Sequence, residues 1–243
     1  MSKLDIIEKY WNMRSEGFSM GINDELESSH DKWKERLDRL LSNVRGKKIL
    51  DIGCGPGFFS ILLSELGYEV TAMDYSQKML EEAEKNVIAR GLSVNFERGD
   101  AQNLCFDNAS FDAVVSRNLM WNLEKPDEAY RQWLRVLKKG GILINCDGNH
   151  CIYHFRKEYM LERLQPEYDD GHNPEYMKNV DVSIIENLSR ELPLSKELRP
   201  TWDINFLINE GVSSIGADIE RNEFTDSGEN YSLIKNFVLR AIK

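Results

Sequence analysis

The chain predicts a doubly wound α/β fold, and three observations carry that reading. Helical and strand-like segments alternate from residue 48 onward. The strand-like runs, DAVVS and GILIN among them, are continuously apolar instead of alternating, as strands covered by helices on both faces are. The first strand passes directly into DIGCGPG, with glycine at every second position just where a helix is due to start. Seven strands are expected, mostly parallel with an antiparallel last strand, together with an inserted cap.

The elements follow in order. A charged amphipathic segment over 31–41 precedes an apolar strand over 48–52 and a helix over 58–66 that Gly67 stops. A second strand over 69–74 follows at once. Ser76 is an N-cap by residue type, and the helix after it, 77–90, carries Met79, Leu80, Ala83 and Val87 on one face and ends at Gly91. Strand, strand, helix and strand then recur over 93–97, 111–116, 127–137 and 141–145; Trp133 and Leu134 are core by default, and Arg135, Lys138 and Lys139 complement the helix dipole. Residues 149–200 break the rhythm with tyrosines, histidines and scattered prolines where one more helix would suffice. Order returns with a helix over 202–210, a strand over 213–219 and a closing strand over 231–242, too far from any crossover helix to be parallel. The expected organisation is a helical lid over 1–45, an α/β core over 46–148, a cap over 149–201 and the remainder of the core over 202–243.

Composition narrows the function classes. At 243 residues and 41% hydrophobic, the chain can bury one sizeable core. A formal charge of −10 opposes a nucleic-acid backbone or an anionic membrane as partner and suits a cationic or neutral small molecule. No run is apolar enough to cross a bilayer and the start is not of the signal-peptide kind, so a cytoplasmic location is expected, as a monomer or homodimer. The four cysteines, Cys54, Cys105, Cys146 and Cys151, read as reduced thiols, Cys54 being a small packed residue.

In an open α/β sheet ligands sit at the carboxyl ends of the strands, where these glycines lie. Missing side chains let a ligand lie against the backbone, and the N–H groups opening the next helix supply donors. The spacing is G-x-G-x-G, not the dinucleotide G-x-G-x-x-G, and no Gly-Lys-Ser/Thr follows to make a phosphate loop. A nicotinamide-dependent oxidoreductase is disfavoured on that ground.

DIGCGPG, the acidic strand end in VTAMD, and RGDAQNL after the third strand together resemble the class I S-adenosylmethionine-dependent methyltransferases, whose fold is Rossmann-like. The resemblance covers residues 45–146 well, the C-terminal strands by pattern and the cap hardly at all. It implies S-adenosylmethionine as cofactor and S-adenosylhomocysteine as product. Asp51 would serve the amino acid end, with Gly53, Gly55 and Gly57 allowing close approach; the Asp74 carboxylate would accept the ribose diol. Tyr75 and Met79 would flank the adenine, Asp100 and Ala101 would read its amino edge, and Ser116, Arg117 and Asn118 would border the methionine part. EKYWNMRSEGFS resembles the aromatic segment with which small-molecule members close over the cofactor, so Tyr10 and Arg14 would touch the amino acid end or the substrate, with Trp11 and Phe18 beside them; a surface helix docking its apolar face is equally compatible.

Methyl transfer from a sulfonium needs alignment and the exclusion of water more than it needs a base. For a hydroxyl or ammonium acceptor a base helps, and His150, Tyr153 and His154 are candidates, each also readable as a packing residue of the cap. Trp121, Tyr153, Phe155 and Tyr159 could build an aromatic acceptor pocket. After the fourth strand the chain reads SRNLMWNL, without the Asp/Asn-Pro-Pro-Tyr/Phe segment used on nucleobase or amide nitrogens. The cluster CDGNHCIYH raises an alternative, in which Cys146 and Cys151 with His150 and His154 hold zinc or capture arsenic, set against a packed, reduced role. The expected function is methyl transfer to a small molecule through oxygen, nitrogen or carbon; a protein that binds the cofactor without turnover would share the same loop.

Overall fold

The computed structural model describes residues 2–168 and 173–243; residues 169–172 of the expected cap lie outside the described residues. The first helix, α1 (Lys3–Leu41), is a single rod of 39 residues in place of a short amphipathic segment. Ser2 caps it, accepting from Asp5 N while the Asp5 carboxylate accepts from Ser2 N. Its sequence signal is diluted by charge, and packing supplies what periodicity lacks: Ile7, Tyr10, Ile22, Leu26, Leu37 and Leu41 are all buried against the body of the fold.

Seven strands follow, β1 (Lys48–Ile52), β2 (Glu69–Asp74), β3 (Asn95–Arg98), β4 (Phe111–Arg117), β5 (Leu137–Gly148), β6 (Ser214–Asp226) and β7 (Glu229–Ile242), joined in one sheet of order β3-β2-β1-β4-β5-β7-β6. The first five are parallel and β7 is antiparallel to both β5 and β6. Helices α2 (Phe58–Glu65), α3 (Gln77–Ala89) and α4 (Pro126–Val136) connect the parallel strands, and α7 (Thr201–Asn209) precedes β6; between β5 and α7 lie the short helices α5 (Lys157–Arg163) and α6 (Ser183–Ser189).

Two apolar layers enclose the sheet. Ile49, Val115, Ile144 and Cys146 pack under α1 and α2 on one face, and Leu50, Val114, Leu143 and Leu239 pack with Trp133 of α4 and Leu207 of α7 on the other. Each fully buried Leu or Ile contributes on the order of 1.5–3 kcal/mol, so the paired layers hold the strand tips rigidly.

The largest departure from expectation is at the C-terminal edge. Strands β6 and β7 run on into a long hairpin closed by Ser227 and Gly228, both with positive φ (50° and 85°), as a two-residue turn matched to strand twist requires. Most of β6 is exposed, so no hydrophobic alternation marked its full length. Strand β5 is likewise longer than its apolar stretch, beginning directly where α4 ends. Arg135 also does more than complement a dipole: its guanidinium donates to the carbonyls of Leu104 and Phe106 and so fixes the loop before β4.

Candidate functional site

The carboxyl ends of β1, β2, β4 and β5 open into a cavity of about 1040 Å³ roofed by α1 and by residues of the 149–200 segment. Its two ends are built differently.

At the glycine end, Gly53 N and Cys54 N both donate to Met73 O, at 2.7 and 3.0 Å, folding the loop over the tip of β2. Gly53 has φ +67°, and a Cβ there would stand 2.7 Å from the Leu119 side chain. Glycine takes that conformation without strain, and any side chain there would have to displace the tip of Leu119. Gly55 N donates to Asp74 Oδ2 at 2.9 Å and Ser76 N to Oδ1 at 2.8 Å. Asp74 is therefore a staple between two loops, with a lone pair on each oxygen left for a diol. Burial pushes its carboxyl up, and the amides of Ser76 and Gly55 oppose that. Asp51 is buried beside it and accepts from Ser60 Oγ at 2.6 Å; burial raises its carboxyl to about 7, against the Ser60 hydrogen bond. A near-neutral acid in such a place gains its charge when a cation arrives.

Helix α1 is stitched to this end by groups whose roles the sequence did not reveal. Asn12 Oδ1 accepts from Ser76 Oγ at 2.7 Å at the start of α3. Asn86, buried on α3, donates to Ser19 Oγ at 2.9 Å and to Pro56 O at 3.0 Å while accepting from Asn23 Nδ2. A polar residue on the apolar stripe of α3 was the one available signal for Asn86. Phe18 lies over Gly55, 3.6 Å from where a Cβ would stand, and Arg98 binds Glu8 at 2.7 Å while lying over the Tyr75 ring. Tyr10 and Arg14 are buried in the roof, and Arg14 Nη1 donates to Tyr176 O at 2.6 Å. That carbonyl comes so close to α1 that only glycine fits at position 17, where an added Cβ would be 1.7 Å from it.

At the other end, Trp121, Tyr153, Tyr159 and His150 line an aromatic wall of the cavity. His150 Nε2 lies 3.1 Å from Asp147 Oδ1, and the Trp121 ring centroid is 5.6 Å from the imidazole. Burial works to raise the Asp147 carboxyl, yet the Arg199 guanidinium and His150 hold it down at about 2. An ionised carboxylate only accepts, so Nε2 carries the hydrogen and Nδ1 is the basic nitrogen. The Tyr153 hydroxyl, by contrast, donates to Glu186 at 3.2 Å, and burial pushes its pKa well above the ordinary tyrosine value.

Most of the residues singled out in the sequence meet in this cavity: Asp51, Gly53, Gly55, Asp74, Tyr75 and Met79 in its floor, Asp100 and Ala101 beyond β3, Arg117 and Asn118 after β4, Tyr10 and Arg14 in the roof, and His150 and Tyr153 at the far wall. Gly57, Ser116, the candidate base His154 and Phe155 of the expected aromatic pocket do not line it. Gly57, with φ +94°, faces Ala83 and lets α2 pack on α3, and Ser116 is fully buried, its hydroxyl donating to Ile52 O at 2.9 Å between β4 and β1. Arg117 lines the cavity, but its guanidinium is held by Glu25 at 2.7 Å and lies over the Phe58 ring. The Cys146 and Cys151 thiols are buried, and burial pushes Cys146 up to about 12. Among the described residues, no three His, Cys, Asp or Glu side chains gather as a metal site.

Comparison with known proteins agrees with this architecture. Residues 50–145 match the model of a family described as "Methyltransferase domain". The chain is 34% identical over 136 residues to a demethylmenaquinone methyltransferase of Clavibacter sepedonicus, covering 51% of this chain and 55% of that one. It is 32% identical over 124 residues to a ubiquinone biosynthesis O-methyltransferase of Caulobacter vibrioides, covering 51% and 48%. The chain thus spans about half the length of the curated relatives it matches. A solved structure of an S-adenosylmethionine-dependent methyltransferase from Archaeoglobus fulgidus shares the fold, with a TM-score of 0.58 at 16% identity over 90% of this chain and 97% of that one.

Proposed function

We propose that this chain, whose core belongs to the class I S-adenosylmethionine-dependent methyltransferases, moves a methyl group to the oxygen of a small aromatic hydroxyl compound. The observation that carries the choice of oxygen is the Asp147–His150 pair in the aromatic wall. A hydroxyl attacks well only as its proton leaves, whereas a neutral amine needs no such help.

The glycine end fits the cofactor. Gly53 leaves the backbone bare in a left-handed turn at the tip of β1, Asp74 keeps two lone pairs free for a diol, and Asp51 is a carboxyl poised to pair with an ammonium. S-adenosylmethionine supplies a methyl group already activated on a sulfonium. Tyr75 and Met79 would hold its adenine, with Asp100 and Ala101 at the amino edge, and Tyr10 and Arg14 would close over its amino acid end.

The remaining work belongs to the chain. His150 Nδ1 takes the hydroxyl proton while the electron pair stays on the acceptor oxygen. Asp147 keeps the ring hydrogen on Nε2 and stabilises the imidazolium. Trp121 and Tyr159 hold an aromatic ring, and the roof of α1 excludes water. The base is His150 and not Tyr153, because the latter's hydroxyl stays protonated and donates to Glu186. The relatives named for quinone biosynthesis support a small aromatic acceptor.

The test is methyl transfer from labelled S-adenosylmethionine to a panel of phenols, catechols and amines, with His150→Gln alongside. Turnover of hydroxylated aromatics, reduced about 10²–10⁴-fold in the variant, is the expected result. Amines preferred over phenols would refute the choice of oxygen. Cofactor binding without turnover on any acceptor would favour a protein that holds the cofactor and does not use it.

A further inference from the structure

Behind His150 lies a charged cluster that the proposed chemistry has not yet used. Asp147, Arg199 and Asp203 are sealed from solvent, at 2%, 1% and 0% exposure. Arg199 Nη1 donates to Asp147 Oδ2 at 2.5 Å, while Nε and Nη2 donate to the two oxygens of Asp203 at 2.9 and 2.6 Å. The Tyr130 hydroxyl donates to Asp203 Oδ1 at 2.6 Å and accepts from Asn145 Nδ2 at 2.9 Å. Asn149 clamps the Arg199 backbone, accepting from its N–H and donating to its carbonyl, each at 3.0 Å.

Two carboxylates accept from one guanidinium, so the cluster holds one acid more than it holds base. Buried charge of that kind is costly unless something completes it. Asp147 and Asn149 of the cluster line the cavity themselves, and Asp147 Oδ1 faces the His150 ring; that oxygen also accepts from Gly148 N at 2.9 Å. Among the described residues, Asp147 is the only carboxylate in ion-pair reach of the ring. Trp121, uncharged, covers the ring from the turn after β4. Other charged residues lining this part of the cavity include Glu162 and Arg163 of α5, Glu186 of α6 and Lys235 of β7; Arg163 and Glu186 face each other at 3.8 Å around Tyr153.

We propose that Arg199 and Asp203 are positioning residues for His150. Acting through Asp147, they fix the orientation of the imidazole, keep its hydrogen on Nε2 and present Nδ1 to the acceptor. When the O–H bond of the acceptor breaks and the N–H bond at Nδ1 forms, the imidazolium supplies the positive charge that the cluster lacks. The arrangement thus deepens the reading of His150 as base and rests on it. A purely structural role leaves a feature unused: Arg199 with Asp203 and Tyr130 already anchors α7, yet the guanidinium also reaches across to Asp147, whose remaining oxygen faces His150.

The experiment is nitrogen-15 NMR of the full-length protein labelled at histidine. The chain has four histidines, and His150→Gln assigns the signals of interest. In the wild-type protein the neutral ring is expected to carry its hydrogen on Nε2. Asp203→Asn removes the surplus charge, so the His150 titration midpoint should fall by about one pH unit, while S-adenosylmethionine affinity stays as it was. Arg199→Lys, which keeps the charge, should retain the Nε2 tautomer.

A hydrogen on Nδ1 in the wild-type protein would overturn the proposal whether or not the variants fold. An unshifted midpoint in folded Asp203→Asn would do the same. Methyl transfer that survives His150→Gln would sink the base reading instead, leaving any measured coupling of the cluster to the ring intact.

Discussion

At the glycine end of the cavity, Asp74 staples a loop 19 residues away, and the partners are backbone amides. At the His150 end, Asp147 is held by an arginine 52 residues away, and the partners are buried side-chain charges. The first end is built from backbone donors that any sequence carries, with glycines keeping the loop bare. The second depends on charges that are costly to bury and so must all be present together. A ligand site can therefore be robust at one end and all-or-none at the other, within a single cavity.

The comparison breaks most visibly at Arg199. Arg199→Met leaves Asp147 and Asp203 as buried acids without their shared guanidinium, so a urea unfolding curve should show a loss of about 3–5 kcal/mol. Calorimetric affinity for S-adenosylmethionine, measured where the variant is folded, should hardly move; an equal loss there would mean that the two ends are one unit. Asp74→Ala is the converse. It should weaken cofactor binding by about 1–3 kcal/mol, the scale of lost charge-assisted hydrogen bonds. If its unfolding midpoint moves as far as its affinity does, the carboxylate serves the loop and not a ribose.

The smallest effect comes from Asp51. Its carboxyl, raised to about 7 by burial, is neutral below that pH, and a ligand ammonium favours the ionised form. Cofactor affinity should therefore fall as pH drops through 7, by at most about tenfold per unit, with proton release on binding at lower pH. Calorimetry in two buffers of different ionisation enthalpy reads that release directly. Flat affinity from pH 8 to 6 would separate Asp51 from the ammonium.

Much of the glycine end was legible before the structure. The strands β1 and β2, the N-cap Ser76 and the stop at Gly91 follow from local periodicity and turn chemistry, and the site residues Asp51, Gly53, Gly55, Asp74, Tyr75 and Met79 do meet there. The misses are instructive. Ser116 was placed at the cavity because strand ends carry sites, but its register turns the hydroxyl to Ile52. Gly57 does not line the cavity either; its φ of +94° favours glycine for the turn into α2, beside Ala83 of α3. Asn12 reads as surface until its partner Ser76 is seen, while Asn86 carried one signal, its place on the apolar stripe of α3.

The order of elements, the bare loop and the acidic strand tip were determined by the chain alone, because each depends on residues a few positions apart whose spacing is itself the signal. What the far wall does was decided only in three dimensions. Arg199 in a loop and Asp203 in a helix look like any exposed charges. They acquire meaning when the sheet brings Asp147 beneath them and water is shut out, since burial is what turns an ordinary pair of charges into a strong and specific constraint on the residue beside it.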